Sequence, residues 1–141
     1  MCQPLFVWCL DPMNSAELIN RLRVHAGDDF DVAWVGEGWR SLVEECHEQL
    51  AAAFPTYVLV NIEQKHGLLA FQALPHPRVE GQPYWSSGQS AMLEAITDEF
   101  THRSKSVCEW CGAAAELREW RRTVLTLCEE CDRQFPDPPG T

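Results

Sequence analysis

Two cysteine pairs, Cys108-x-x-Cys111 and Cys128-x-x-Cys131, stand sixteen residues apart near the end of the chain. Two intervening residues let the backbone turn back so that both sulfurs of a pair converge, and Gly112 relieves the crowding that such a turn creates. Four thiolates at this spacing make a tetrahedral, all-sulfur site, and the separation falls in the range of zinc modules. A sphere closed by four protein sulfurs leaves no position for water, so the Zn2+ it implies is structural. An iron–sulfur cluster takes the same ligands. Two disulfides would need an oxidising compartment, and a redox pair would need only one Cys-x-x-Cys.

The segment between the pairs, LREWRRTVLTL, is long enough for a two-stranded hairpin that brings the second pair to face the first. It carries Arg118, Arg121 and Arg122 beside Trp120, the best nucleic-acid candidate in the chain. Glu116, Glu119, Glu129 and Glu130 lie interleaved or nearby and cancel the local positive excess that a phosphate-tracking surface needs.

Other reactive residues do not assemble into a catalytic motif. Cys46 and His47 are adjacent in a helical stretch, so they point about 100° apart and form no nucleophile–base dyad. Cys46 fits a core position. His66 reads as a solvated turn residue, His76 lies between prolines, and His102 precedes a cysteine set that is already complete. With no phosphate cradle, nucleophile elbow or His-Glu-x-x-His helix, the sequence reads as a non-enzyme.

Ahead of the cysteines the chain alternates short strands with helices. Residues 4–10 and 30–36 read as strands. Residues 14–27 read as a helix capped by Asn14 and stopped by Gly27. Trp39, Leu42, Val43, Cys46 and Leu50 form the stripe of a second helix over 38–54. Residues 56–74 read as a hairpin turning at Gly67, and 89–105 as a helix with Met92, Ala95, Ile96 and Phe100 on its apolar side. The proline- and glycine-rich loop 75–88 displays Tyr84 and Trp85, aromatic residues favoured as binding anchors. The fold class expected is α+β: an acidic body over 1–104, a four-cysteine zinc-ribbon-like module over 105–134 and a disordered tail over 135–141.

The net charge of −10 belongs almost entirely to the first hundred residues, which hold fourteen acidic and five basic side chains. Such a body repels phosphate backbones and attracts basic surfaces. Asp28, Asp29, Asp31 and Glu37, around the expected 30–36 strand, are the acids best placed to meet a basic protein partner. No stretch reads as membrane-spanning, and the start MCQPLFVWCLDP has no basic residue ahead of its apolar run. With an odd cysteine count, this points to a reducing cytoplasm.

The order of Gly38-Trp39, then NIEQKHGLLAF, then Cys108-x-x-Cys111-Gly112 and Thr126-Leu127-Cys128 resembles a widespread family of small, uncharacterised bacterial and phage-encoded proteins. Ile62, Lys65, Gly67, Leu68, Phe71 and Trp120 also match that pattern. Glu63, Gln64, His66 and Ala70 depart from its more basic and aromatic middle segment. No reaction transfers with the resemblance. It implies a place in conflict between bacteria or with phage, as an immunity protein or an inhibitor of a toxin or defence enzyme. A nucleic-acid-associated regulator using the three arginines is the alternative.

Overall fold

The computed structural model describes residues 9–78, 80–81 and 85–135. It is an α+β chain of four α-helices, one 3-10 turn and two antiparallel hairpins among those residues. Helix α1 spans Pro12–Ala26, the 3-10 turn Glu37–Trp39, α2 Arg40–Ala53, strands β1 and β2 Val58–Lys65 and Leu68–Leu74, and α3 Ser87–Ser104. The second hairpin, β3 (Glu116–Arg118) and β4 (Leu125–Leu127), leads into α4 (Glu129–Gln134).

Local signals account for most of these ends. The cap of α1 sits three residues earlier than Asn14. Asp11 fills that role: its carboxylate accepts the Met13 and Asn14 amides, and the Asn14 side chain accepts the Asp11 amide in return. Pro12 occupies the first turn, where its missing amide costs nothing. At the other end Gly27 takes φ 104°, as the stop signal requires. In the first hairpin His66 and Gly67 both adopt positive φ, 52° and 81°, the geometry of a two-residue turn that matches strand twist. The pairing runs from Lys65↔Leu68 to Val58↔Leu74 with a bulge between Leu59 and Asn61.

Two further expectations change. Residues 30–36 alternate inward and outward as a strand should, with Ala33 and Val35 buried and Trp34 exposed. They nevertheless form only isolated bridges, Ala33 to Leu10 and Trp34 to Glu63, because the segment changes neighbour after a single residue. In α3 the inward face is rotated: Leu93 and Phe100 are buried while Met92 is 52% exposed. The cause is polar. The Thr101 hydroxyl donates to the Leu69 carbonyl (2.7 Å) and the Ser104 hydroxyl accepts the Leu69 amide (3.0 Å), so hydroxyls one turn apart turn toward β2. Of the strand expected over 4–10, only Cys9 and Leu10 fall within the described residues, and of the tail expected over 135–141 only Phe135 does. Cys9 is disulfide-bonded.

The stripe of α2 holds as read, with Trp39, Leu42, Val43, Cys46 and Leu50 all buried beside Leu18, Leu22, Ile62, Phe71 and Phe100. Burial alone pushes the Cys46 thiol up to about 12, so it is an inert core group. Beside it lies an arrangement that the sequence concealed. Tyr57, fully buried, makes a hydrogen bond through its hydroxyl with His47 Nδ1 (2.7 Å), and its carbonyl accepts from His25 Nδ1 (2.8 Å). The His25 ring stacks on the Tyr57 ring at 3.9 Å.

Burial, then His25, then Arg21 hold His47 below its ordinary value of 6.5. Arg21 is itself paired with Glu44 and Glu48. Below pH 6.5 the unfolded chain therefore binds a proton at this position that the folded chain resists, and stability falls as pH drops from there. Thermal unfolding should occur at lower temperature at acidic than at neutral pH, and His47→Gln should flatten that dependence. An unchanged slope in the variant would show that His47 is not the group responsible.

Candidate metal centre

The first cysteine pair lies on a loop that closes on itself. The Gly112 amide donates to the Cys108 carbonyl (2.9 Å), the Cys108 amide to the Ala113 carbonyl (2.8 Å), and Gly112 holds φ 81°. The second pair straddles the start of α4, where the Cys128 sulfur accepts the Cys131 amide at 3.4 Å and caps the helix. Hairpin β3–β4 brings the pairs together through Glu116↔Leu127, Leu117↔Thr126 and Arg118↔Leu125, as the length of the linker suggests.

The four sulfurs lie within 4.8 Å of one another, and those of Cys111 and Cys128 are 3.7 Å apart. Tetrahedral coordination at a metal–sulfur distance of about 2.3 Å places sulfurs about 3.8 Å apart, so the cluster can hold a metal ion. Cys108 and Cys131 are buried, Cys128 is half-buried and Cys111 exposed. The amide bond from Cys131 favours the Cys128 thiolate and brings its pKa down to about 7. Cys131 is pushed the other way, chiefly by burial.

This centre is welded to the body. An atom placed where a Cβ of Gly38 would stand meets the Cys108 carbonyl oxygen at 2.1 Å and the Gly112 nitrogen at 2.7 Å. The Gly38 amide donates to the Glu109 carbonyl (2.9 Å), and the buried Trp39 indole donates to the Val107 carbonyl (2.7 Å). At the far side the Thr126 hydroxyl donates to the Gly67 carbonyl (2.6 Å), and Gly67 lies under Leu117. Glu109, 1% exposed, accepts the Thr126 amide at 2.7 Å. Burial pushes its carboxyl up to about 7 against the pull of that bond.

The arginine patch requires correction. Arg121 is buried: its guanidinium donates to the Asp132 carboxylate (2.8 Å) and to the Phe135 carbonyl, tying the hairpin turn to α4. Arg118 donates to the Leu127 carbonyl (3.1 Å) and pairs with Glu116. Of the patch itself, Arg122 and Trp120 are exposed, the latter at 69%, beside the exposed acid Glu119. The sequence shows three arginines but not that two of them hold the module together.

Among the acids, Asp28, Asp29 and Asp31 are exposed on the segment after α1, which is irregular where a strand was expected. Glu37 begins the 3-10 turn and is paired with Arg40 at 3.1 Å. Trp85 is half-buried, its indole donating to the His76 carbonyl (2.9 Å) and its ring edge-on to that of His76, so it closes its own loop. Tyr84 lies outside the described residues. The chain matches no protein-family description, no curated protein and no solved structure.

Gly38→Ala should force the first cysteine loop off the body and lower stability by about 3 kcal/mol, as overpacking at a rigid contact does. Gly88→Ala, in an open helical position, should be neutral or slightly stabilising. Chemical denaturation of both variants checks the pair, and an equal response would mean that the contact yields.

Proposed function

We propose that this protein is a zinc-stabilised binding protein that captures a basic protein partner, as an inhibitor or immunity-type protein does with a toxin or defence enzyme. The supporting observation is the run Asp28, Asp29 and Asp31. All three are exposed, and none has a basic partner among the described residues. Intramolecular ion pairing does not mask these carboxylates, so their field is available to steer an approaching cationic surface. Net charge −10 extends that field over the whole chain.

Zinc is the ion we assign, because a compact all-thiolate set suits a borderline-soft cation that prefers tetrahedral geometry. Its role is to hold the hairpin and α4 together, with binding as the function of the rest. The compartment we assign is the cytoplasm, where free thiols persist. The disulfide at Cys9 runs against that assignment. Among the described residues no helix is long and apolar enough to cross a membrane.

Metal analysis of protein purified without added metal should find one zinc per chain, and acid-labile sulfide with visible absorption would overturn zinc in favour of an iron–sulfur cluster. Affinity purification from the native host should then recover one basic protein in stoichiometric amount. Asp28→Lys with Asp31→Lys should slow its association about tenfold at low salt and flatten the salt dependence. Nucleic acid that elutes with salt, in place of a protein, would sink this reading and return attention to Arg122 and Trp120.

A further inference from the structure

One edge of the first hairpin is incompletely covered, and its surroundings specify what would complete it. In β2 the amide and carbonyl of Leu69 both point away from β1, since α3 supplies their partners through Ser104 and Thr101. Ladder geometry repeats every second residue, so Phe71 and Ala73 direct their backbone groups to that same side. The Ile62 carbonyl and Gln64 amide confirm the phase: they face Trp34, on the opposite edge of the sheet. Among the described residues nothing bonds to the outward groups of Phe71 or Ala73. Helix α3 bonds to this edge at Leu69, and Phe71 is buried at 4% exposure, so the edge reaches solvent at the end of β2, at Ala73.

Beyond that point β2 and α3 enclose a groove of about 380 Å³. Its walls include Val60, 57% exposed at the bulge of β1, and Leu74, which offer apolar surface to alternate side chains of an added strand. Its rim on α3 carries Glu94 and Asp98, four residues apart on one helix face. Both are exposed, and neither has a basic partner among the described residues, whereas the neighbouring Glu99 is held by Arg103. Like charges at this spacing oppose each other within a helix, and an incoming cation relieves that repulsion.

We propose that the β2–α3 groove is a docking site for an extended, lysine- or arginine-bearing peptide segment of the partner protein, which pairs with the end of β2 at Ala73. Backbone bonds to Ala73 supply the register, Val60 and Leu74 receive apolar side chains, and Glu94 and Asp98 receive the basic ones. The inference rests on the reading of this protein as a binder of a basic partner and gives that partner's contacting segment a conformation. Long-range steering by Asp28, Asp29 and Asp31 is separate, since it acts before contact.

The test titrates the isotope-labelled, metal-loaded full chain with a short synthetic peptide alternating lysine and valine. A peptide alternating glutamate and valine is the control. The lysine peptide should slow amide exchange at Ala73 by about tenfold or more, and N-methylation of alternate peptide bonds should abolish the effect. Glu94→Lys with Asp98→Lys, both at exposed helix positions, should weaken binding about tenfold while metal content and melting temperature stay unchanged. Binding that survives the charge reversal, protection confined to residues 28–31 or to the cysteine module, or no binding of the lysine peptide would overturn the proposal. A native partner that still binds the reversed variant normally would also overturn it while leaving the proposed function standing. Recovery of no partner from the host would count against the function itself.

Discussion

Gly38 occupies a position with no room for a side chain. The carbonyl of Cys108 and the amide of Gly112 press against its α-carbon from the other module, and the next residue, Trp39, crosses the same boundary with its indole. Trp39 is also the first member of the α2 stripe, so one dipeptide fixes both the packing of the main core and the seat of the cysteine cluster. Backbone contacts this close cannot be replaced by side chains that adjust, because a shift of one partner breaks hydrogen bonds on both. The placement of β3, β4 and α4 relative to the body follows from this contact and from its counterpart, Thr126 on Gly67.

This joint changes what a structural metal means here. In an isolated metal module the free energy of coordination folds that module and nothing else. Here the loop that presents Cys108 and Cys111 is also the surface that receives Gly38 and Trp39, and the strand ahead of Cys128 contacts the β1–β2 turn. A metal ion coordinated there would therefore stabilise the mutual arrangement of two hydrophobic clusters, each of which buries its own apolar side chains. In this region the buried Arg121 guanidinium is held by Asp132, while the buried Glu109 carboxyl is met by the Thr126 amide at one oxygen and by no hydrogen-bond partner at the other among the described residues.

Periodicity made α2, the first hairpin and the cysteine module legible, since each depends on contacts within a few residues. The stripe from Trp39 to Leu50 and the glycine at the first turn needed no long-range information. What the sequence withheld was set by distant neighbours. Residues 30–36 have strand alternation but no continuous partner, and α3 is rotated because Thr101 and Ser104 answer the backbone of Leu69. The cysteines were readable as a cluster because thiolate spacing is a short-range rule, and the arginines were misread because Arg121 finds its partner eleven residues away on another element. His25, His47 and Tyr57 come from three separate stretches, and no local pattern announces that their rings meet.

The four cysteines are unequally exposed, which would set a direction for the exchange of a metal held among them. Cys108 and Cys131 are enclosed, while Cys111 faces solvent from the outer side of the cluster. Were the cluster to hold a metal ion, a competing thiol or chelator would meet Cys111 before the enclosed pair. Residence time and affinity would then be separate properties: the enclosed cysteines, Cys108 and Cys131, would govern how tightly an ion is held, and the more exposed Cys111 and Cys128 how quickly it passes to another molecule.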